Sequence, residues 1–247
     1  MSKSTRERTA HPSSNGLTAK SSAGADRRIF VMLGAPGAGK GTQADRLSKA
    51  LGLPKISSGD LFREALRTES SLGRQVRQYM ERGALVPDEV TLRVIGDRLA
   101  KPDTDVGAIL DGFPRTRPQA EALDEMLAAK GSSVRGALYI EVDRDDLITR
   151  LAGRRVCTGP AQHVYHIIWN PPKREGICDF DGSPLEQRPD DQPETIRARL
   201  DKQLPPMYEV VDHYAERGAL CAVRGDRPID EVTQELLHAI AMADKRR

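Results

Sequence analysis

The sequence holds only three cysteines, Cys157, Cys178 and Cys221, in 247 residues. Cys221 stands inside an apolar strand pattern, so the three do not make the paired framework of a small secreted protein, and a reducing cytoplasm is the expected compartment. No apolar run approaches the roughly 18 residues that span a bilayer, so a helical membrane protein is excluded. The N-terminus lacks an apolar h-region, and a secretory signal is not expected. Its Arg, Ser and Thr with few acids give a faint transit-peptide flavour, but a disordered extension is the simpler reading. Internal repeats are also missing. So is a strong charge of either sign over most of the chain. The formal net charge is +2, yet Lys3, Arg6, Arg8, Lys20, Arg27 and Arg28 face only Glu7 and Asp26 in residues 1–28, which leaves the remainder slightly acidic. The basic character belongs to the tail, which argues against a globular surface built for nucleic acid.

What is present is organised around Gly34-Ala35-Pro36-Gly37-Ala38-Gly39-Lys40-Gly41-Thr42, set between the apolar run Ile29-Phe30-Val31-Met32-Leu33 and a helical pattern of Ala44, Leu47, Ala50 and Leu51. Strand, glycine loop and helix in that order form an anion cradle: backbone N–H groups turn inward and the helix points its positive end at the same spot. Lys40 adds a mobile charge for outer phosphates, and Thr42 offers a hydroxyl to magnesium or phosphate. A general Walker loop has Ser or Thr directly after the Lys, where this chain has Gly41.

Residues 1–26 are polar and charged with almost no large apolar side chain, and are expected to be disordered. A core of residues 27–247 follows. Leu53-Pro54-Lys55-Ile56-Ser57 reads as a short second strand, and residues 57–86 as a small helical lobe inserted in the core. An amphipathic helix is expected over 88–99. Gly107-Ala108-Ile109-Leu110-Asp111 is a strand ending in a carboxylate, where phosphoryl-transfer enzymes of this kind keep an acid near the metal and its waters. The turn Gly112-Phe113-Pro114-Arg115 then delivers an arginine to the carboxyl end of a strand, the place where open α/β sheets bind ligands. A fourth strand spans 137–142 and a fifth 220–223. Five strands alternating with helices predict an α/β fold, a five-stranded parallel sheet with helices on both faces. From 153 to 191 the periodicity fails amid Pro, Gly and aromatic residues, and a structureless loop of that length is improbable in a compact domain, so a small inserted subdomain is expected.

Taken together, the residue 34–42 loop, Ser57-Ser58-Gly59-Asp60 with Arg63, Asp111-Gly112-Phe113-Pro114-Arg115 with Gln119, Gly153-Arg154-Arg155, and Arg188-Pro189-Asp190-Asp191 with Arg199 resemble, in order and spacing, the adenylate kinases of the long-lid bacterial type. The resemblance covers about residues 28–243. It implies reversible transfer of a phosphoryl group from MgATP to AMP, giving two ADP, on a CORE with an AMP-binding lobe (57–86) and a LID (153–191), in a cytoplasmic monomer serving adenine nucleotide homeostasis. It implies further that Gly37, Ala38, Gly39, Lys40, Gly41 and Thr42 hold the ATP phosphates, with Arg154, Val164, Tyr165 and the backbone at Arg227 also on ATP. Ser58, Arg63, Ala84, Leu85, Val86, Gly112, Phe113, Pro114, Arg115, Gln119, Arg188 and Arg199 would contact AMP. Lys40, Arg115, Arg150, Arg154, Arg188 and Arg199 would carry the catalytic charge, and Asp60 and Asp111 the magnesium's water shell. The amide of Gln119 suits a base edge because it offers both donor and acceptor. Relatives usually have Thr where Ser58 stands, so a methyl against the acceptor is missing and weaker discrimination is expected. The competing readings are a UMP/CMP kinase, a GTP-using AMP kinase, and a catalytically silent nucleotide sensor; the last is opposed by the retention of Lys40, Asp111 and every motif arginine.

The inserted segment raises the question of metal. Cys157 and Cys178 stand where zinc-bearing relatives carry paired ligands, and Asp181 matches a fourth ligand found in some, but the remaining position is Pro160, which cannot ligate. Two Cys and an Asp are one short of a tetrahedron unless His163 swings in. The expectation is a metal-free lid packed by Tyr165, Ile167, Trp169 and Pro171.

Overall fold

The computed structural model describes Met1 and residues 26–246. The expected disorder of the 1–26 tail therefore falls almost wholly outside the described residues. Strands β1 (Arg28–Leu33), β2 (Lys55–Ser57), β3 (Gly107–Asp111), β4 (Val134–Glu141) and β8 (Leu220–Arg224) form a five-stranded parallel sheet in the order β2-β3-β1-β4-β8. Strand pairing is in register from Arg28 opposite Gly107 to Met32 opposite Asp111. Because strand side chains alternate between faces, Phe30 and Met32 enter one apolar layer with Leu47 of α1 (Lys40–Leu51), Leu151 of α6 (Arg144–Ala152) and Leu236 of α8 (Ile229–Lys245). Ile29, Val31 and Leu33 enter the other, with Ile95 of α4 (Asp88–Leu99), Leu123 of α5 (Arg117–Ala128) and Tyr214 of α7 (Pro193–Glu216). The sheet is thus covered by helices on both faces, as the periodicity predicts.

Two regions depart from this layering. α2 (Ser58–Arg67) and α3 (Ser71–Glu81) close a small separate cluster of Phe62, Val76, Val86 and Val90. α2 begins where the Ser57 hydroxyl accepts the Asp60 N–H at 3.2 Å, a side-chain cap at the very end of β2. In the 153–191 segment, β5 (Arg154–Cys157), β6 (Val164–His166) and β7 (Leu185–Glu186) form a separate antiparallel sheet in the order β6-β5-β7. Its packing corrects the expected one. Tyr165, Cys157 and Cys178 are buried together with Leu185 beside them, but Ile167 and Trp169 are 52% and 58% exposed, and Pro171 is exposed. β6 ends at His166, and the turn after it no longer alternates toward the interior.

Candidate active site

The carboxyl ends of β1, β3, β4 and β8 open on one side of the sheet, and the loops leaving β1, β3 and β8 line a cleft of about 880 Å³. This is where a parallel sheet offers backbone N–H groups and helix N-termini to a ligand. The residue 34–42 loop forms its floor. Gly37 sits at φ 87°, and a Cβ there would meet the Leu147 carbonyl at 3.1 Å, so the loop needs glycine at that turn for two reasons. Lys40, the first residue of α1, bends back to donate to Gly34 O at 2.7 Å and Ala35 O at 2.9 Å. Burial brings its ammonium down to about 7, with Arg115, Arg199 and Arg154 pushing the same way against Asp111. A polyphosphate placed here would offer the ammonium better partners than two carbonyls.

Nine basic side chains line the cleft against five acidic ones. They arrive from separate elements: Arg115 after β3, Arg150 on α6, Arg154 opening β5, Arg188 at the far edge of the small sheet, and Arg199 on α7. Most are held by the fold. Arg115 Nε donates to Gly112 O at 2.6 Å, and Arg150 to Gly225 O at 2.8 Å. Arg154 makes a two-pronged pair with Asp191 at 2.6 Å on both arms. Arg199 reaches Asp190 at 2.8 Å and Asp191 at 3.2 Å. Burial, then crowding by like charges, pushes the Arg188 guanidinium down; burial does the same to Arg115 and Arg199. The buried Nε atoms of Arg63 and Arg199 have no hydrogen-bond partner among the described residues. Such a site is short of anions.

A second, smaller pocket adjoins the cleft, and Gly59, Arg63, Gly112, Arg115 and Arg199 line both. Its other walls include Ser58, Ala84, Leu85, Val86 and Gln119. Ser58 is buried with its hydroxyl donating to Gly112 O at 2.6 Å. Asp60 and Asp111 line the main cleft. Burial alone would raise Asp60, but its ion pair with Arg63 and the nearby Lys55 hold it below the usual carboxylate range. Val164, Tyr165 and Arg227 face the cleft as well.

Two expected contacts line neither space: Phe113 and Pro114 are buried, Phe113 within the apolar layer of α4, α5 and α7. Conversely, several lining residues escaped the sequence reading. Lys55 in β2 pairs with Asp45 at 2.6 Å, and His166 and Trp169 stack at 4.2 Å on the cleft wall. Gln203, one turn beyond Arg199 on α7, donates to Gly83 O at 2.7 Å and so steadies the wall at Ala84. No motif marks these positions; for Gln203 the one available signal is helical spacing, which sets it four residues after Arg199 and so on the same side of α7.

The small sheet gathers a further group. Ligand-bearing atoms of Cys157, His163, Cys178 and Asp181 all lie within 4.8 Å of one another. His163, the residue that would complete a set otherwise one short, stands within the group. Pairing of β5 with β6 brings Cys157 beside His163, whose carbonyl accepts the Cys157 N–H at 2.9 Å. Cys157 Sγ is 3.2 Å from Asp181, and Cys178 Sγ is 3.3 Å from His163 Nδ1. The Gly159 N–H points at Cys157 Sγ at 3.2 Å, and the Ser183 N–H at Asp181 at 3.0 Å. Two sulfurs, an imidazole nitrogen and a carboxylate oxygen, with backbone N–H groups steadying Cys157 and Asp181 from outside, fit a tetrahedral zinc.

Among the described residues no helix is long and apolar enough to cross a membrane. The family description "Adenylate kinase" matches residues 32–219. The chain is 45% identical to an adenylate kinase of Streptomyces coelicolor over 211 residues, covering 85% of this chain and 97% of that protein. It is 47% identical to one of Lysinibacillus sphaericus over 207 residues, covering 84% and 95%. With a glycine-rich loop after β1, an arginine-lined cleft and an adjoining pocket already in place, this likeness settles the family: the chain belongs to the adenylate kinases, phosphotransferases that convert ATP and AMP into two ADP.

Proposed function

We propose that the 880 Å³ cleft holds MgATP, that the adjoining pocket holds AMP, and that the phosphoryl group passes where the two spaces meet. The observation that carries this assignment is the sharing of Arg63, Arg115 and Arg199 by both spaces. In-line transfer between two nucleotides needs no covalent intermediate. It needs donor and acceptor oxygens aligned, water excluded and charge offset across both anions. Lys40 exchanges its two carbonyls for donor phosphate oxygens, with Gly37 to Thr42 supplying N–H groups and Thr42 its hydroxyl. Arg150 and Arg154 hold the donor side, and Arg63, Arg115, Arg188 and Arg199 the acceptor phosphate. The 57–86 lobe and the 153–191 lid close on the 27–247 core, with Gly153 as the hinge. A Cβ at Gly153 would stand 2.2 Å from His166 Nε2, so a larger residue at that hinge would have to push the His166 ring aside. Magnesium, carried in with ATP, neutralises charge on the transferring group, and Asp60 and Asp111 are placed to hold its waters. Asp60, already paired and held as a carboxylate, is not a general base.

Free cysteines suit a reducing cytoplasm. A coupled assay with AMP, UMP, CMP and GMP tests the acceptor assignment: AMP is turned over at least about a hundredfold faster than either pyrimidine, and comparable turnover on a pyrimidine overturns it. The lid cluster supports a second reading, a structural zinc on Cys157, His163, Cys178 and Asp181 rather than the metal-free lid expected from sequence. Elemental analysis of protein purified without chelator should find about one zinc per chain, lost in His163→Ala. A metal-free wild-type chain contradicts it.

A further inference from the structure

We propose that Asp88 is a positioning residue that sets which purine the acceptor pocket takes, by fixing which way round the Gln119 amide sits. The inference rests on the reading that Gln119 meets the acceptor base. Gln119 is 1% exposed and lines the acceptor pocket, whereas Asp88 does not. Gln119 Nε2 donates to Asp88 Oδ1 at 2.7 Å, and Gln119 Oε1 accepts the Arg115 backbone N–H at 2.8 Å. The second carboxylate oxygen of Asp88 accepts the Thr116 hydroxyl at 2.8 Å, and Thr116 caps α5, accepting the Gln119 N–H at 3.3 Å.

The chemistry of the two partners decides the amide's orientation. An ionised carboxylate only accepts and a backbone N–H only donates. A flipped amide would set Oε1 against the Asp88 carboxylate and Nε2 against the Arg115 N–H, losing both bonds and opposing like dipoles. One orientation is therefore locked from two sides. After those bonds, Nε2 keeps one N–H and Oε1 one lone pair. Adenine presents an acceptor at N1 beside a donor at N6, the complement of that donor and acceptor pair. Hypoxanthine and guanine present the reverse, a donor at N1 beside an acceptor at O6. A freely turning amide would serve both kinds of edge equally. An amide pinned by Asp88 serves one, and the other leaves buried polar groups facing like partners, the strongest form of discrimination a pocket has.

Asp88→Asn tests this, since asparagine is isosteric, can donate as well as accept, and is tolerated at a helix start. The full chain is assayed with AMP and with IMP, which differs from AMP only in that reversed edge. The ratio of kcat/KM for AMP over IMP should fall about tenfold, through KM for the acceptor, with KM for ATP and the melting temperature little changed. Asp88→Glu, which still only accepts, should keep the AMP:IMP ratio near that of the wild type. Gln119→Met separates the two readings. If it leaves KM for AMP unchanged, Gln119 does not meet the base, and the proposal falls with that reading. If it raises KM for AMP while Asp88→Asn leaves the AMP:IMP ratio intact, the assignment of Gln119 stands and the role of Asp88 is refuted.

Discussion

The main sheet and the lid are held together by different means. Two broad apolar layers cover the sheet, with Ile29, Phe30, Leu47, Leu110 and Leu236 fully buried. The lid buries little more than Cys157, Tyr165 and Cys178, and its sheet includes a strand of only two residues. What fixes it is polar: the Cys157, His163, Cys178 and Asp181 group inside, and the Arg154 and Asp191 pair at its base. A region with so small an apolar core has low stability of its own. A region proposed to close over two substrates can be drawn from that end of the range. The sheet keeps its geometry through burial, and the lid through a few directed contacts that can be broken singly.

The base of the lid should show the larger effect. Asp191 is fully buried and serves both Arg154 and Arg199. Asp191→Asn takes the carboxylate from Arg154 and one of two from Arg199, which keeps Asp190, and should cost about 3 kcal/mol and about 10 °C in melting temperature. An unshifted melting curve would mean that these pairs do not hold the lid to the core. On the proposed zinc reading, removal of the metal by a chelator should have a smaller and more local effect. Amide exchange in β5 and β6 should accelerate, while β1 and β3 keep their protection. Equal acceleration in both sheets would erase the distinction between the two regions.

The same contrast explains what could be read from the sequence. All five main strands and the helices between them were legible because burial leaves apolar runs in the strands and a period in the helices, and the glycine loop because its glycines and Lys40 sit between an apolar strand and a helix. The lid was legible only as a failure of period. His163 lies six residues from Cys157 and fifteen from Cys178, a spacing that means nothing until β5 pairs with β6 and brings it beside Cys157. Trp169 reads as core by composition, but the strand that would carry it inward ends at His166. Lys55 and Asp88 belong to no motif, and their partners Asp45 and Gln119 reach them only through tertiary packing.

In the proposed mechanism, core and lid present their charges to one phosphoryl chain. Lys40 belongs to the core loop and Arg188 to the lid's far edge, and both line the same cleft. A double-mutant cycle on kcat, using Lys40→Met and Arg188→Met, tests the claim directly. Each single change should lower kcat by about a hundredfold or more. If both groups act on one transferring phosphoryl, the double variant falls well short of the product of the two losses. Losses that simply multiply would show two charges working independently, and would contradict a single site shared by core and lid.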